Sequence, residues 1–409
     1  MSPGPALRVA VLMSRFPKLS ETFILEEMLE LERAGITVEV FPLLREREHV
    51  VHPSAVALDR RAHHMRFASR EVFVAQLWWL VRAPGTYLRT WWRGVTGNRR
   101  SPKFFVRTVY VLPKAAAFAR RMLQLRVDHI HAHYATHPAL AAWVASELTG
   151  IDYSFTAHAH DLYVERPMLS EKLESARFVR TISEYNRQFL AQRYGREAAR
   201  KIRVIRCGVD LQRFEPPSRP RRDGGHPFTI ICVASLEPYK GHRYLLEALA
   251  RVRSHGLDVR CLLVGEGELR EAIERQRDHL GLEEIVILCG AQPAEQVRAL
   301  LNRADAAVLS SVITESGKME GVPVALMEAM AVGLPVVATN VSGVSELVED
   351  GRCGLLVDER DPEGLAESIA MLARNPALRR RLGARGRARV SGEFDLRRNV
   401  ARLRAALAA

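Results

Sequence analysis

No run of eighteen consecutive apolar residues occurs in the 409-residue chain. A spanning helix needs roughly that length, so no transmembrane segment is expected. Cysteine is scarce: Cys207, Cys232, Cys261, Cys289 and Cys353 are the whole complement. None is spaced as Cys-x-x-Cys, which argues against a redox pair or a cysteine metal cluster, and three lie in apolar, strand-like runs that suit buried free thiols. The N-terminal Met-Ser-Pro-Gly-Pro lacks a basic stretch followed by an apolar core and a cleavage site. The expectation is therefore a cytoplasmic protein, at most peripheral on the inner face of the plasma membrane. An Asp-x-Asp pair of the kind that holds a catalytic cation is also missing, so the chemistry is expected to need no metal and no other cofactor. Acidic residues are outnumbered, 47 against 60 lysines and arginines, for a formal charge of +13. Such a balance calls for a partner: nucleic acid, an anionic membrane surface or an anionic substrate.

The chain is too long for one core, and 47% hydrophobic content is ample for two. Strand-like and helical segments alternate: Leu7–Met13, Thr22–Ala34, Thr37–Pro42, then Val127–His131, Pro138–Leu148, Tyr153–Thr156 and Phe178–Ile182. A proline- and arginine-rich stretch, Pro216 to Gly225, reads as a linker. The alternation restarts after it at Phe228–Ala234. The expected fold class is α/β, with two Rossmann-like, doubly wound domains (residues 1–215 and 226–389) facing each other across a cleft. Ligand is expected at the carboxyl ends of the strands.

Residues 60–125 interrupt this pattern. Trp78, Trp79, Tyr87, Trp91, Trp92, Phe104 and Phe105 are interleaved with Arg82, Arg89, Arg93, Arg99, Arg100 and Lys103. Aromatic and cationic side chains together suit a bilayer interface, so residues 70–105 are the candidate contact with an anionic membrane. The plain alternative is a helical insert whose tryptophans pack inward. Nucleic acid could stack on the same segment, but none is expected as partner, because that would leave the C-terminal motif unexplained.

That motif is Glu320-Gly321-Val322-Pro323-Val324-Ala325-Leu326-Met327-Glu328. Pro323 suits a first helical position, Gly333 suits the stop, and Leu334 to Ala338 reads as a buried strand. Glu320 then sits in the loop at a helix mouth, where phosphate is favoured, and Glu328 about one and a half turns inside. Two carboxylates so placed can accept hydrogen bonds from sugar hydroxyls. An isolated pair of this spacing is usually two surface glutamates, but the sequence continues Glu328-Ala329-Met330-Ala331-Val332-Gly333-Leu334-Pro335-Val336-Val337. In this longer frame it resembles the retaining glycosyltransferases of family 4, which have the GT-B fold, across most of residues 200–360 and more weakly before them. The variant Ser14-Arg15-Phe16-Pro17-Lys18-Leu19-Ser20-Glu21-Thr22 near the N-terminus is similar to that of bacterial exopolysaccharide and colanic-acid-type enzymes.

The resemblance implies transfer of a sugar from a nucleotide-sugar to a saccharide or lipid-linked saccharide. It makes the first domain the acceptor-binding one and returns the last helix (about 390–409) to pack on it. Lys240, after Ala234-Ser235-Leu236-Glu237-Pro238-Tyr239, would bind the donor phosphates and stabilise the leaving nucleotide. The family usually has an arginine where this chain has Ser235. Glu320, with Gly321 and Val322, would hold the donor sugar, Glu328 the ribose, and the Gly265 loop would lie near the base. His158 would contact the donor sugar, so the catalytic set is His158, Lys240 and Glu320. Arg15, Lys18, Ser20, Glu21, His160 and Asp161 are acceptor-side candidates; Asp161 and His160 could equally orient His158. His131, His133 and His137 suggest zinc by spacing, but no third and fourth ligand is evident. Pro323 departs from the usual family loop and removes one backbone donor. Three other readings stay open: a GT-B phosphorylase, a sugar-nucleotide epimerase, and a nucleotide-sugar-binding protein without turnover.

Overall fold

Parallel strands bury both faces and read as near-continuous apolar runs, and the chain holds two sets of them. A computed structural model describes residues 7–17, 22–46, 53–217 and 227–409. Two units emerge: the chain up to Ile205 together with Val400–Ala409, and Arg206–Asn399.

The first unit contains β1 (Arg8–Phe16), α1 (Thr22–Arg33), β2 (Thr37–Arg45), α2 (Pro53–Arg61), α3 (Arg70–Arg82), α4 (Pro84–Gly97) and α5 (Pro102–Leu125). It continues with β3 (His129–His133), α6 (His137–Thr149), β4 (Tyr153–Ala157), α7 (His160–Tyr163), α8 (Leu169–Ser175), β5 (Phe178–Thr181), α9 (Glu184–Lys201) and β6 (Ile202–Val204). All of its strand pairs are parallel, in the order β2-β1-β3-β4-β5-β6.

The second unit contains β7 (Phe228–Val233), α10 (His242–Ser254), β8 (Val259–Val264), α11 (Arg270–His279), β9 (Val286–Gly290), α12 (Ala294–Arg303) and β10 (Ala306–Leu309). Then come α13 (Val324–Ala331), β11 (Val336–Thr339), α14 (Val344–Leu347), β12 (Leu355–Val357), α15 (Pro362–Arg374), α16 (Pro376–Glu393) and the start of α17 (Leu396–Ala408). Its sheet is also wholly parallel, in the order β12-β11-β10-β7-β8-β9. In each sheet the winding reverses once, between β1 and β3 and between β7 and β10, and such reversals open a crevice at the strands' carboxyl ends.

The domain boundaries expected at 215 and 389 are displaced. Val209 N–H donates to Phe394 O at 2.9 Å, Val209 bridges Asp395, and Asn399 Nδ2 donates to Cys207 O at 3.3 Å. These bonds hold residues 206–214 to the segment around α17, within the second unit. The linker composition at 216–225 therefore marks the place where the chain leaves that contact, not the division itself; most of that stretch lies outside the described residues. The last ten residues cluster with the first unit, where Arg177 donates to Ala406 O and Leu407 O at 3.3 and 2.6 Å.

Residues 60–125 form α3, α4 and α5 and the end of α2, and their aromatics divide. Trp79, Tyr87 and Phe104 are buried, with Trp79 Nε1 donating to Ala116 O at 2.8 Å and Tyr87 Oη to Gln76 Oε1 at 2.7 Å. Trp92 and Phe105 face outward.

The core of the first unit contains a charge pair. Glu27 on α1 accepts from Arg180 Nη1 on β5 at 2.5 Å, and both side chains are buried. Arg180 Nε also donates to Ile205 O at 2.8 Å. Removing one partner of a buried pair leaves an uncompensated charge. Arg180→Met should cost about 3–5 kcal/mol in urea denaturation, and adding Glu27→Leu in the same chain should recover part of that loss.

Candidate functional site

The reversal between β7 and β10 sets the loops after these strands side by side. The first turns through a short 3-10 segment, Pro238–Lys240, into α10. The second, from Ser310 onward, leads to α13. Gly241 makes their approach possible: it has φ +65°, and a Cβ there would stand 1.9 Å from Ser310 O. Ser310 Oγ donates to Gly241 O at 3.0 Å, and Val312 N–H to Tyr239 O at 2.8 Å.

Lys240 and Glu320 meet where these loops touch. The ammonium forms an ion pair with Glu320 Oε2, and the two side chains are only 13% and 10% exposed. Ser311 Oγ donates to the same oxygen at 3.3 Å, and Gly321 N–H to Glu320 Oε1 at 3.3 Å. Burial alone would lower the Lys240 pKa, but the adjacent Glu320 and Tyr239 together outweigh it and the ammonium is held in its charged form. Glu328 is the fifth residue of α13, partly buried, on the helix that Glu320 precedes. Val322 and Gly321 are buried, so Val322 turns its side chain into the core. Gly333 has φ +74° just beyond α13, and Pro323 sits at the cap, one position earlier than the sequence suggests.

The Gly265 loop lies against the loop after β7. Leu236 N–H donates to Glu266 O and Leu269 N–H to Leu236 O, each at 2.9 Å. A Cβ on Gly265 would stand 2.0 Å from Ala234 O. Gly-x-Gly therefore serves backbone packing beside the Lys240 loop as well as a turn.

Sequence reasoning missed the residues that surround Lys240. Tyr239 lies with its ring centroid 4.8 Å from Lys240 Nζ and 4.5 Å from Lys318 Nζ. Lys318 forms an ion pair with Glu237, and Ser235 Oγ donates to Glu237 Oε1 at 3.1 Å. The available signal was slight: a lysine two positions before Glu320 and a glutamate three before Lys240.

In the first unit His158 follows β4 and is buried, with Nε2 lacking a hydrogen-bond partner among the described residues. Its ring contacts Tyr134, Phe23 and His133 at centroid distances of 4.7, 5.3 and 5.8 Å. Its backbone is fixed on both sides: N–H donates to Asp161 Oδ1 at 3.0 Å, and the carbonyl accepts from Asn186 Nδ2. Asp161 is not an exposed acceptor-side carboxylate. It is 2% exposed and takes backbone N–H groups from Ala135, His158 and Ala159, so it braces the loops after β3 and β4. Lys172, also buried, donates to Ala135 O and Thr136 O, and burial lowers its pKa to about 7. Arg15 pairs with Glu46 at 2.8 Å. Lys18, Ser20 and Glu21 lie outside the described residues, as does the His160 side chain.

The histidines near β3 separate as well. His137 stacks on Phe104 at 5.0 Å. His131 and His133 share a face of β3 with His129, and Glu27 completes a group of three metal-capable donors with them. This third donor was invisible in the sequence. Both ring nitrogens of His131 are engaged, by Ser154 Oγ at 2.8 Å and Thr156 Oγ1 at 2.9 Å, and Glu27 already pairs with Arg180. A guanidinium on the same carboxylate repels a cation, so the set fits a buried polar network better than a metal centre.

Burial holds these imidazoles neutral. His129 and His133 are lowered to about 3, His137 and His242 to about 4, and His131 and His158 well below the ordinary value. The folded-state values lie under the unfolded one, so below about pH 6.5 the unfolded chain binds more protons and stability falls with pH. Each buried histidine therefore adds to the loss of stability as pH falls from about 6.5 toward 4. Denaturation midpoints should therefore drop steeply over that window, and His137→Phe should reduce the slope.

The comparisons bear on this arrangement. Residues 20–213 match the family model for Glycosyltransferase Family 4, and residues 218–389 that for glycosyl transferases group 1. A protein of Escherichia coli (strain K12), provisionally named a colanic acid biosynthesis glycosyltransferase, is 42% identical over 170 residues, covering 42% of this chain. The match spans only 41% of that relative's length. The GDP-mannose-dependent alpha-(1-6)-phosphatidylinositol monomannoside mannosyltransferase of Mycolicibacterium smegmatis is 30% identical over 260 residues, 61% of this chain and 68% of that protein. An Anabaena protein crystallised in complex with UDP superposes with a TM-score of 0.73 at 18% identity, covering 98% of this chain and 100% of its own. At that identity the likeness concerns the fold, which is GT-B.

Proposed function

The chain belongs to glycosyltransferase family 4, and on that premise we propose that it transfers a sugar from a nucleoside-diphosphate donor to a saccharide or lipid-linked saccharide, with retention at the anomeric carbon. The observation that carries this is the Lys240–Glu320 pair at the strand-order reversal of the second unit. Lys240 neutralises the diphosphate as charge grows on the leaving group, and Glu320 accepts hydrogen bonds from the donor sugar. Glu328, inside α13, takes the ribose hydroxyls, and the Gly265 loop lies beside the base. Proton transfer needs a group on the acceptor's side of the sugar, and a leaving-group phosphate oxygen fills that role without a protein nucleophile or a metal. His158, neutral and with Nε2 unpartnered among the described residues, keeps a ring nitrogen available for a substrate hydroxyl. Support for the donor class comes from the UDP in the Anabaena structure and the GDP-mannose in the mycobacterial relative's name. The Escherichia coli relative supports a role in bacterial exopolysaccharide or glycolipid assembly.

The first unit supplies a docking face for an anionic bilayer. No helix among the described residues is long and apolar enough to cross a membrane. Yet α3 turns Phe73, Leu77 and Leu80 outward at helical spacing, opposite buried Val72, Ala75 and Trp79. Leu88 and Trp92 (71% exposed) do the same on α4, and Val106, Val109 and Tyr110 on α5. Between Glu71 and Asp128 the sequence has eleven basic residues and no acidic one. Lys114 is buried and donates to Leu43 O; near an anionic surface each exposed one contributes about 1 kcal/mol.

Five measurements test these readings. A thermal-shift series with uridine, guanosine and adenosine diphosphates should show stabilisation by at least one. With the matching sugar donor, Lys240→Ala should lower kcat by roughly 100-fold or more; turnover insensitive to this change would remove the transferase reading. Proton NMR of the product would report retention, and unchanged turnover in EDTA the absence of a metal. For the membrane face, co-sedimentation should require phosphatidylglycerol vesicles, weaken with salt and fall in Trp92→Ser. Equal binding to neutral phosphatidylcholine vesicles would count against it.

A further inference from the structure

A diphosphate carries at least two negative charges, and Lys240 alone cannot balance them, since its ammonium is already shared with Glu320. Ser235 carries no charge of its own. We propose that Lys318 is the second phosphate-binding cation of the donor site, supplied from the loop before Glu320. This inference rests on the donor reading given above.

Three observations converge on Lys318. The first is position: its ammonium is 4.5 Å from the Tyr239 ring centroid and that of Lys240 is 4.8 Å from the same centroid. Both charges therefore lie against the same ring, that of Tyr239 in the loop after β7. The second is preorganisation. Thr314 N–H and Oγ1 both donate to Lys318 O, at 2.9 and 3.0 Å, and Gly317 N–H donates to Thr314 O at 2.8 Å, with Gly317 at φ +79°. This closed turn fixes the Lys318 backbone before any ligand arrives.

The third observation is the counter-ion. Lys318 pairs with Glu237, whose other oxygen accepts from Ser235 Oγ. Burial alone would raise the Glu237 pKa, but the Lys318 ammonium brings it below its usual value. The Lys318 and Glu237 side chains are 30% and 34% exposed, against 13% and 10% for Lys240 and Glu320. The outer pair is thus the one that water and an incoming anion can reach. In the absence of donor, Glu237 holds the ammonium over Tyr239; when a diphosphate enters, the same ammonium exchanges carboxylate for phosphate oxygen. A flexible four-carbon stem with three rotatable donors suits that exchange. Ser235 leaves the space and charge balance for it, because an arginine at that position would compete with Lys318 for Glu237.

Isothermal calorimetry on the full chain tests this with whichever of uridine, guanosine or adenosine diphosphate stabilises it, and with the matching nucleoside. Lys318→Gln should weaken the diphosphate by roughly tenfold or more, the loss expected for one charge-assisted contact, and leave the nucleoside unchanged. Lys318→Arg should retain most of the affinity. Ser235→Arg added to Lys318→Gln should restore it, since the charge then comes from the other loop. Wild-type diphosphate affinity in Lys318→Gln would overturn the inference and leave the donor reading intact. Equal weakening of nucleoside and diphosphate would also overturn it, by showing a general distortion. A wild-type chain that binds no nucleoside diphosphate would overturn this inference and the donor reading together.

Discussion

The arrangement of the second unit depends on one ion pair between two loops. Lys240 and Glu320 are eighty residues apart in sequence, and no local propensity joins them. They meet because β7 and β10 are neighbours in a sheet whose winding reverses between them. With little water around either group, the attraction is much stronger than on an exposed surface, and leaving either alone would be costly. The pair therefore fixes both loops, and with them Tyr239, Gly241, Ser311 and the entrance to α13. On the donor reading, a site for an anion is thus assembled around its own internal one.

The first unit uses buried charge differently. Its polar network, built from His129, His131, Ser154 and Thr156 on adjacent strands and capped by Glu27 and Arg180, lies inside the sheet packing. Most of its hydrogen-bonding capacity is spent within the unit. Among the described residues of this unit, His129 Nδ1, His133 Nδ1, His137 Nε2 and His158 Nε2 are buried ring nitrogens without partners, and of these only His158 stands directly after a strand's carboxyl end. Asp161, Asn186 and Lys172 hold the surrounding backbone. The result is a neutral imidazole on a rigid mount, which is what a positioning hydrogen bond requires.

Much of the fold was legible because parallel sheets leave strong traces. Val336–Thr339 and Ala306–Leu309 are short apolar runs flanked by turn residues, and both are strands. The stretch from Glu320 to Gly333 could be placed on a loop and a helix within one residue. Less legible was α9, whose buried side chains include only Asn186 and Leu190 over eighteen residues, so no apolar stripe announces it. For Asp161 the sequence left acceptor binding and the orienting of His158 equally open, because its three partners are backbone N–H groups, and these have no sequence signature. Lys318 sits in a polar, glycine-containing loop that reads as solvated. Its partner Glu237 is eighty-one residues away, and contacts of that range exist only once the sheet has formed. The limits of the two units at Ile205 and Asn399 were less legible for the converse reason: composition drew attention to a linker at 216–225, whereas Val209 and Asn399 bond the preceding residues to the segment around α17.

Tyr239 has a consequence of its own. Its ring centroid lies 4.8 and 4.5 Å from two ammonium groups, each tied to a carboxylate, and burial keeps its phenol protonated to higher pH than usual. The electronic transition of an aromatic ring shifts with the electric field across it. Any event that draws either lysine off its carboxylate changes that field, so the ring is a native optical reporter of site occupancy. Difference ultraviolet spectra would then follow the unlabelled molecule in real time, with no chemistry needing to occur.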